Sequence, residues 1–144
     1  MVALNSQDIA LKQAFSTKEE AITAAGQLLV EQGYVDAPYI EKMKERDAMT
    51  STFIGNMVAI PHGTDDSRDM IKNSGIVILQ VPDGVSFDGN EVKVLIGIAG
   101  ADGEHMDLLS SIAIVCSEEE NVAQIVAAES KQAIIDFFEG SESA

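Results

Sequence analysis

Two largely apolar runs, Ile76 to Val81 (IVILQV) and Val92 to Ala99 (VKVLIGIA), constrain this chain more than anything else in it. Both are rich in β-branched residues, as buried strands are. The turn-rich stretch between them, Pro82 to Asn90, predicts a hairpin. Shorter apolar runs, Phe53–Ile54 and Val58–Ile60, precede the pair and are broken by Gly55. On both sides of this central block the period changes to that of helices.

Ile9 to Phe15 reads as a modest first strand. Ser16 with Glu19 three residues on forms a capping box for a helix carrying Ile22, Ala25, Leu28 and Leu29, with Gly33 placed as its C-terminal cap. A second helix is expected from about Ala37 to Ala48, started by Asp36 with Pro38 in its first turn. Beyond Asp102, Leu108, Leu109, Ile112 and Val115 make one apolar stripe; Ser117 with Glu120 opens another helix, and Ser130 precedes a short last one. Helices before and after central strands give an α/β (α+β) sandwich around a mixed sheet. With three prolines, no Ser/Gly-rich tract and no repeat in 144 residues, residues 1–144 are expected to form one domain, ending in a frayed tail from Ser141 to Ala144.

The formal charge of −15, from 24 acidic against 9 basic residues, would repel a phosphate backbone, so nucleic acid is not expected as a partner. A partner with a basic docking face is favoured instead. The N-terminus is not built like a secretory signal, and no apolar run approaches the roughly 18–20 residues that span a bilayer. A cytoplasmic protein with no direct membrane insertion is expected. The single cysteine, Cys116, cannot form an internal disulfide.

The chemistry-bearing candidates are few. His62 lies in Ile60-Pro61-His62-Gly63-Thr64, where proline fixes the approach and Gly63 leaves the backbone open, so the imidazole is expected on a loop after a short strand. An ordinary solvent-exposed loop histidine is the competing reading. His105 follows Asp102-Gly103-Glu104; with Asp102 as N-cap it sits in a first helical turn, where the dipole favours a neutral ring. Thr64 is placed to cap the segment after the loop or to bind an anion. Arg46, in Lys44-Glu45-Arg46-Asp47, reads by default as part of a solvated helix face.

Walker A, dinucleotide and nucleophile-elbow motifs are absent, and two histidines with one cysteine show no zinc-ligand spacing. No cofactor or metal is expected. Histidine chemistry remains: a neutral imidazole is a nucleophile near pH 7 and can accept a phosphoryl group.

The run Thr50 to Thr64 (TSTFIGNMVAIPHGT) resembles the active-site segment of enzyme IIA of the mannitol class, from the bacterial phosphoenolpyruvate-dependent sugar phosphotransferase system. The likeness extends through Tyr34-Val35, Met43 to Thr50, Val81 to Phe87 (VPDGVSF), Leu95 to Ala99 (LIGIA) and Glu104-His105. It implies a mixed parallel/antiparallel sheet of about five strands flanked by helices on both faces, in agreement with the coarse reading. It also implies that His62 accepts a phosphoryl group from phospho-HPr and donates it to a mannitol enzyme IIB or IIBC subunit. His105 then matches a neighbouring histidine that hydrogen-bonds the phosphoryl group, and Arg46 an arginine that contacts its oxygens. Thr64 and Gly63 support the site. Asn56 departs from the pattern, since the best-known member has a glutamate there, and no role is carried over to it.

Other readings are a fructose-class enzyme IIA, a regulatory domain of the same fold, a small hydrolase using His62 and His105 as base and acid, and an interaction protein whose histidines are incidental.

Overall fold

The computed structural model of the chain describes residues 4–100, 110 and 112–136. Asp102, His105, Leu108 and Leu109 of the expectations above, and the 141–144 tail, lie outside them. Five described strands form one mixed sheet: β1 (Ile9–Ala10), β2 (Phe53–Gly55), β3 (Val58–Ala59), β4 (Gly75–Phe87) and β5 (Asn90–Ala99), in the order β1-β4-β5-β3-β2. β4 and β5 are antiparallel, β1 runs parallel to β4 and β3 parallel to β5, and β2 closes the edge antiparallel to β3.

The two apolar runs are the central strands, and successive residues serve opposite faces. Ile76, Ile78, Val94, Ile96 and Ile98 pack with Val115, Val122, Ile125 and Ile134, whereas Val77, Leu79, Val81, Leu95 and Ala99 pack with Ala25, Leu29, Tyr39 and Met43. Helices α1 (Lys18–Glu31) and α2 (Tyr39–Met49) cover the second face. α3 (Glu119–Ala127), with helical residues 112–116 and 131–136, covers the first. The expected layering of helices on both faces therefore holds.

The hairpin turn is tighter than the turn-rich stretch suggested. Strand β4 continues to Phe87, and the loop is only Asp88-Gly89, both at positive φ (56° and 94°), with Phe87 opposite Asn90. That is the type I′ turn which Asp-Gly favours. The register lapses between Gln80 and Val85, and this irregularity accommodates Pro82 and Gly84 inside the strand.

Four boundaries differ from expectation. α2 starts at Tyr39 rather than about Ala37, with Pro38 and not Asp36 at the cap position. β1 pairs over two residues only, because Lys12 turns the chain at φ 53°; Gln13 then rejoins through its N–H to the Gln80 carbonyl at 2.8 Å. α1 starts one residue later than the Ser16 box: Thr17 Oγ accepts from Glu20 N at 3.2 Å and the Glu20 carboxylate takes the Ser16 N–H. Ser117 does not open α3; its hydroxyl donates back to Ile114 O at 2.8 Å, and Glu118 holds the cap position.

Other signals were met. Gly33, at φ 79°, ends α1, with Gly33 N on Val30 O and Tyr34 N on Leu29 O as in a Schellman motif. Ser130 Oγ accepts from Ala133 N at 3.1 Å. One buried polar side chain fastens the two layers. Gln80 Nε2 faces the carbonyls of Ile125, Val126 and Ala128 at 2.8–3.0 Å, and so caps the end of α3. Its Oε1 takes the Lys12 N–H at 3.1 Å.

Candidate active site

β3 does not stop at Ala59 in any functional sense. Ile60 N donates to Thr52 O at 2.9 Å, Ile98 N donates to Pro61 O at 3.0 Å, and His62 forms an isolated parallel bridge with Ile98. Proline interrupts the ladder because it has no N–H. The result places His62 beside the carboxyl end of β5, where parallel strands of an open sheet present their binding groups.

The imidazole is held from behind. His62 Nδ1 lies 2.8 Å from Ile60 O. A carbonyl only accepts, so Nδ1 carries the proton, and whenever the ring is neutral its lone pair is on Nε2. The ring is not displayed in solvent as the loop reading implied. His62 is 7% exposed, bridged to Ile98 of the internal strand β5 rather than standing on a projecting turn.

Gly63 owes its place to packing. Its N–H donates to Tyr39 Oη at 2.8 Å, and Tyr39 Oη donates to Ile98 O at 2.9 Å, so one buried phenol bolts the loop to β5. A Cβ on Gly63 would stand 2.5 Å from Tyr39 Cε1, inside contact distance of a buried ring tied at its hydroxyl. Burial pushes the phenol pKa up, against the smaller lowering by the Gly63 N–H, and the group stays protonated to donate.

Thr64 does not cap the 3-10 segment Asp65–Met70 through its side chain. Its hydroxyl donates to the Asp66 carboxylate, while its carbonyl accepts from Ser67 N (3.1 Å) and Ser67 Oγ (2.5 Å). Arg68 of that segment, with Tyr39, Gly63, Thr64 and Gly100, lines a small hollow beside the loop. Arg46 is partly buried in the last turn of α2 and donates from Nη1 to Thr50 O at 2.8 Å. It therefore stands next to the 50–52 segment that receives Ile60 N, with its hydrogen bond spent on its own helix end. His105 lies outside the described residues.

Asn56 has a definite task. It and Met57 form the β2–β3 turn at φ 50° and 66°, and its Nδ2 donates to Cys116 O (2.9 Å) and Ser117 O (3.1 Å). The position needs a donor, which a carboxylate would not supply. Neither Tyr39 nor Arg68 was singled out from sequence. Nothing local in the sequence marks a tyrosine 24 residues before Gly63 as its partner.

A family model described as "Phosphoenolpyruvate-dependent sugar phosphotransferase system, EIIA 2" matches residues 3–141. The chain belongs to this EIIA family. The mannitol-specific phosphotransferase enzyme IIA component of Geobacillus stearothermophilus is 54% identical over 136 residues, 94% of each chain. The crystal structure of IIA mannitol from Escherichia coli is 31% identical with a TM-score of 0.89, over 95% of this chain and 99% of that one. A complex of enzyme IIAMtl with phosphorylated enzyme IIBMtl from Escherichia coli matches at 30% identity and a TM-score of 0.91, over 97% and 99% of the two chains. The protein is thus a phosphotransferase component of EIIA type. Among the described residues no helix is long and apolar enough to cross a membrane.

Proposed function

We propose that this EIIA takes a phosphoryl group from phospho-HPr onto His62 Nε2 and passes it to a mannitol enzyme IIB, in the cytoplasm. The observation that carries the reading is the 2.8 Å bond from His62 Nδ1–H to Ile60 O, which leaves Nε2 as the nucleophilic nitrogen. Its lone pair attacks phosphorus, the new N–P bond forms as the N–P bond of the donor histidine breaks, and the donor ring leaves neutral. The His62 ring gains positive charge during this step. The Nδ1–H bond to Ile60 O then strengthens, so it favours the transition state over the ground state.

Positioning and charge do the remainder. Arg46 would leave Thr50 O and turn its planar fork to the phosphoryl oxygens, with His105 hydrogen-bonding the same group. Gly63 lets the loop seat on Tyr39, and Thr64 orders the segment after it. Met49 and Ile54, both exposed and flanking the 50–52 segment, support a docking face beside the loop for the donor and acceptor proteins. Mannitol as the sugar is supported by the mannitol-specific relatives.

The test is incubation with phosphoenolpyruvate, enzyme I and HPr, followed by mapping of the acid-labile, base-stable adduct. The His62 peptide should carry it and His62→Ala should carry none. Label on the His105 peptide alone would overturn the assignment.

A further inference from the structure

An ion pair at the interface of α1 and α2 lies outside the loop and has no part in the chemistry above. Lys18 Nζ meets Asp47 Oδ2 at 2.9 Å, with side-chain exposures of 19% and 1%. Asp47 is in the last turn of α2, where the helix dipole opposes a negative charge, and taking a carboxylate out of water is costly in itself. Lys18 is in turn gripped by both oxygens of Asp88, at 2.9 Å each, from the type I′ turn of the central hairpin. Three elements converge on one ammonium group.

The other oxygen of Asp47 leads to the histidine. Oδ1 accepts from Thr52 N at 2.9 Å and from Thr52 Oγ at 2.7 Å, which pins that residue twice. Thr52 O accepts Ile60 N at 2.9 Å, and Ile60 O accepts His62 Nδ1–H at 2.8 Å. The bonds do not share peptide groups: the N–H and C=O of Thr52 belong to different amides, as do those of Ile60. Polarisation is therefore not relayed along the path. Position is, because each residue is fixed at both its donor and its acceptor.

We propose that Asp47, clamped by Lys18, is a positioning residue for His62: by fixing Thr52 and through it Ile60, it sets the tautomer and orientation of the imidazole. The functional consequence rests on the reading of His62 as phosphoryl acceptor; the structural part does not.

The test reads the ring nitrogens of His62 by 15N NMR, without phosphate, alongside the rate of phosphoryl acceptance from phospho-HPr. Asp47→Asn keeps an acceptor for Thr52 but sets an amide NH2 against the Lys18 ammonium. It should mix the His62 tautomers and lower kcat roughly ten- to a hundredfold at unchanged KM, the range expected from small misplacement of a reacting group. Lys18→Met should act in the same direction and Lys18→Arg should restore most of the loss. Gln80→Leu, which uncaps α3 on the far side of the sheet, should lower stability without moving tautomer or kcat. A folded Asp47→Asn protein with wild-type ring shifts and rate overturns the proposal, as does an equal effect from Gln80→Leu. Should Asp47→Asn fail to fold, Thr52→Val removes the hydroxyl bond alone, and unchanged ring shifts in that variant overturn it too. If the tautomers shift but His62→Ala still accepts phosphate, the positioning stands and the reading of His62 falls.

Discussion

Replacing Tyr39 by Phe removes one oxygen atom and with it the bolt between the histidine loop and β5. The hydroxyl is buried, donates to Ile98 O at 2.9 Å and accepts Gly63 N–H at 2.8 Å. The phenylalanine ring offers neither group a partner. Losing the donated bond costs about 0.5–1.5 kcal/mol, and stranding a buried N–H a further 1–3, so a total of about 2–3 kcal/mol is expected after partial relaxation of the loop. For a chain of this length that lowers Tm by roughly 6–12 °C, and the urea m-value should not change because the packing surface is the same. Thermal and urea unfolding of Tyr39→Phe measure both. Gly63→Ala attacks the same contact from the other side, and the two costs should fall short of additive in the double variant. Phosphoryl acceptance should slow in Tyr39→Phe, since Gly63 adjoins His62. A Tyr39→Phe protein within about 0.5 kcal/mol of wild type, with its fold intact, refutes the bolt.

Asn56→Asp puts a carboxylate where two carbonyls, of Cys116 and Ser117, require a donor, and should cost about 1–3 kcal/mol by urea titration; Asn56→Gly, which keeps the positive φ, should cost only the cap. Burial works against the charge on Asp47, but the Thr52 hydrogen bonds and the Lys18 ion pair outweigh it and hold its pKa below the ordinary 3.8. Its stabilisation is thus complete above that value and lost as pH falls through the lower folded one, so the Tm gap between wild type and Asp47→Asn should hold steady down to about pH 5 and narrow only below about pH 4, and a constant gap there counts against the pairing. Cys116, whose thiol burial pushes up to about 11, should resist iodoacetamide at neutral pH until the protein is unfolded; rapid labelling of the native state contradicts its placement.

The parts of the fold that sequence disclosed are those whose causes are local. A buried strand needs apolar residues at every position, so the 76–81 and 92–99 runs announced the central hairpin. A Schellman end needs a residue at positive φ, so Gly33 announced the end of α1. The capping box slipped by one because Ser16-x-x-Glu19 and Thr17-x-x-Glu20 both satisfy the pattern, and only the packing of Ala21, Ile22, Ala25 and Leu29 against the sheet selects between them. What stayed hidden depends on partners far along the chain. Gln80 in a strand looks like a flaw until α3 brings three carbonyls to it from 45 to 48 residues away. The site divides in the same way. His62 and its loop, as the candidate site, were legible from residue type and resemblance. The Tyr39 bolt and the Asp47 clamp have no sequence signature, because a buried polar contact is defined by what the fold carries to it.

The choice of a backbone carbonyl to hold His62 has a thermodynamic meaning for a carrier. A phosphohistidine that is to be received and then surrendered must lie close in free energy to the phosphorylated forms on either side of it. A carboxylate on Nδ1–H would form a charge-assisted bond roughly twice as strong as a neutral one, and would stabilise the cationic phosphorylated ring most of all. The adduct would form readily and leave slowly. On the proposal that His62 carries the phosphoryl group, Ile60 O would give direction and tautomer with a weaker bond, and the N–P bond would stay ready to move on. The negative charge nearest along the hydrogen-bonded path, on Asp47, is kept two residues of backbone away and neutralised by Lys18. It fixes geometry without lending its charge to the imidazole. On the proposed role of His62, an architecture of this kind suits passage of a phosphoryl group in both directions better than its retention.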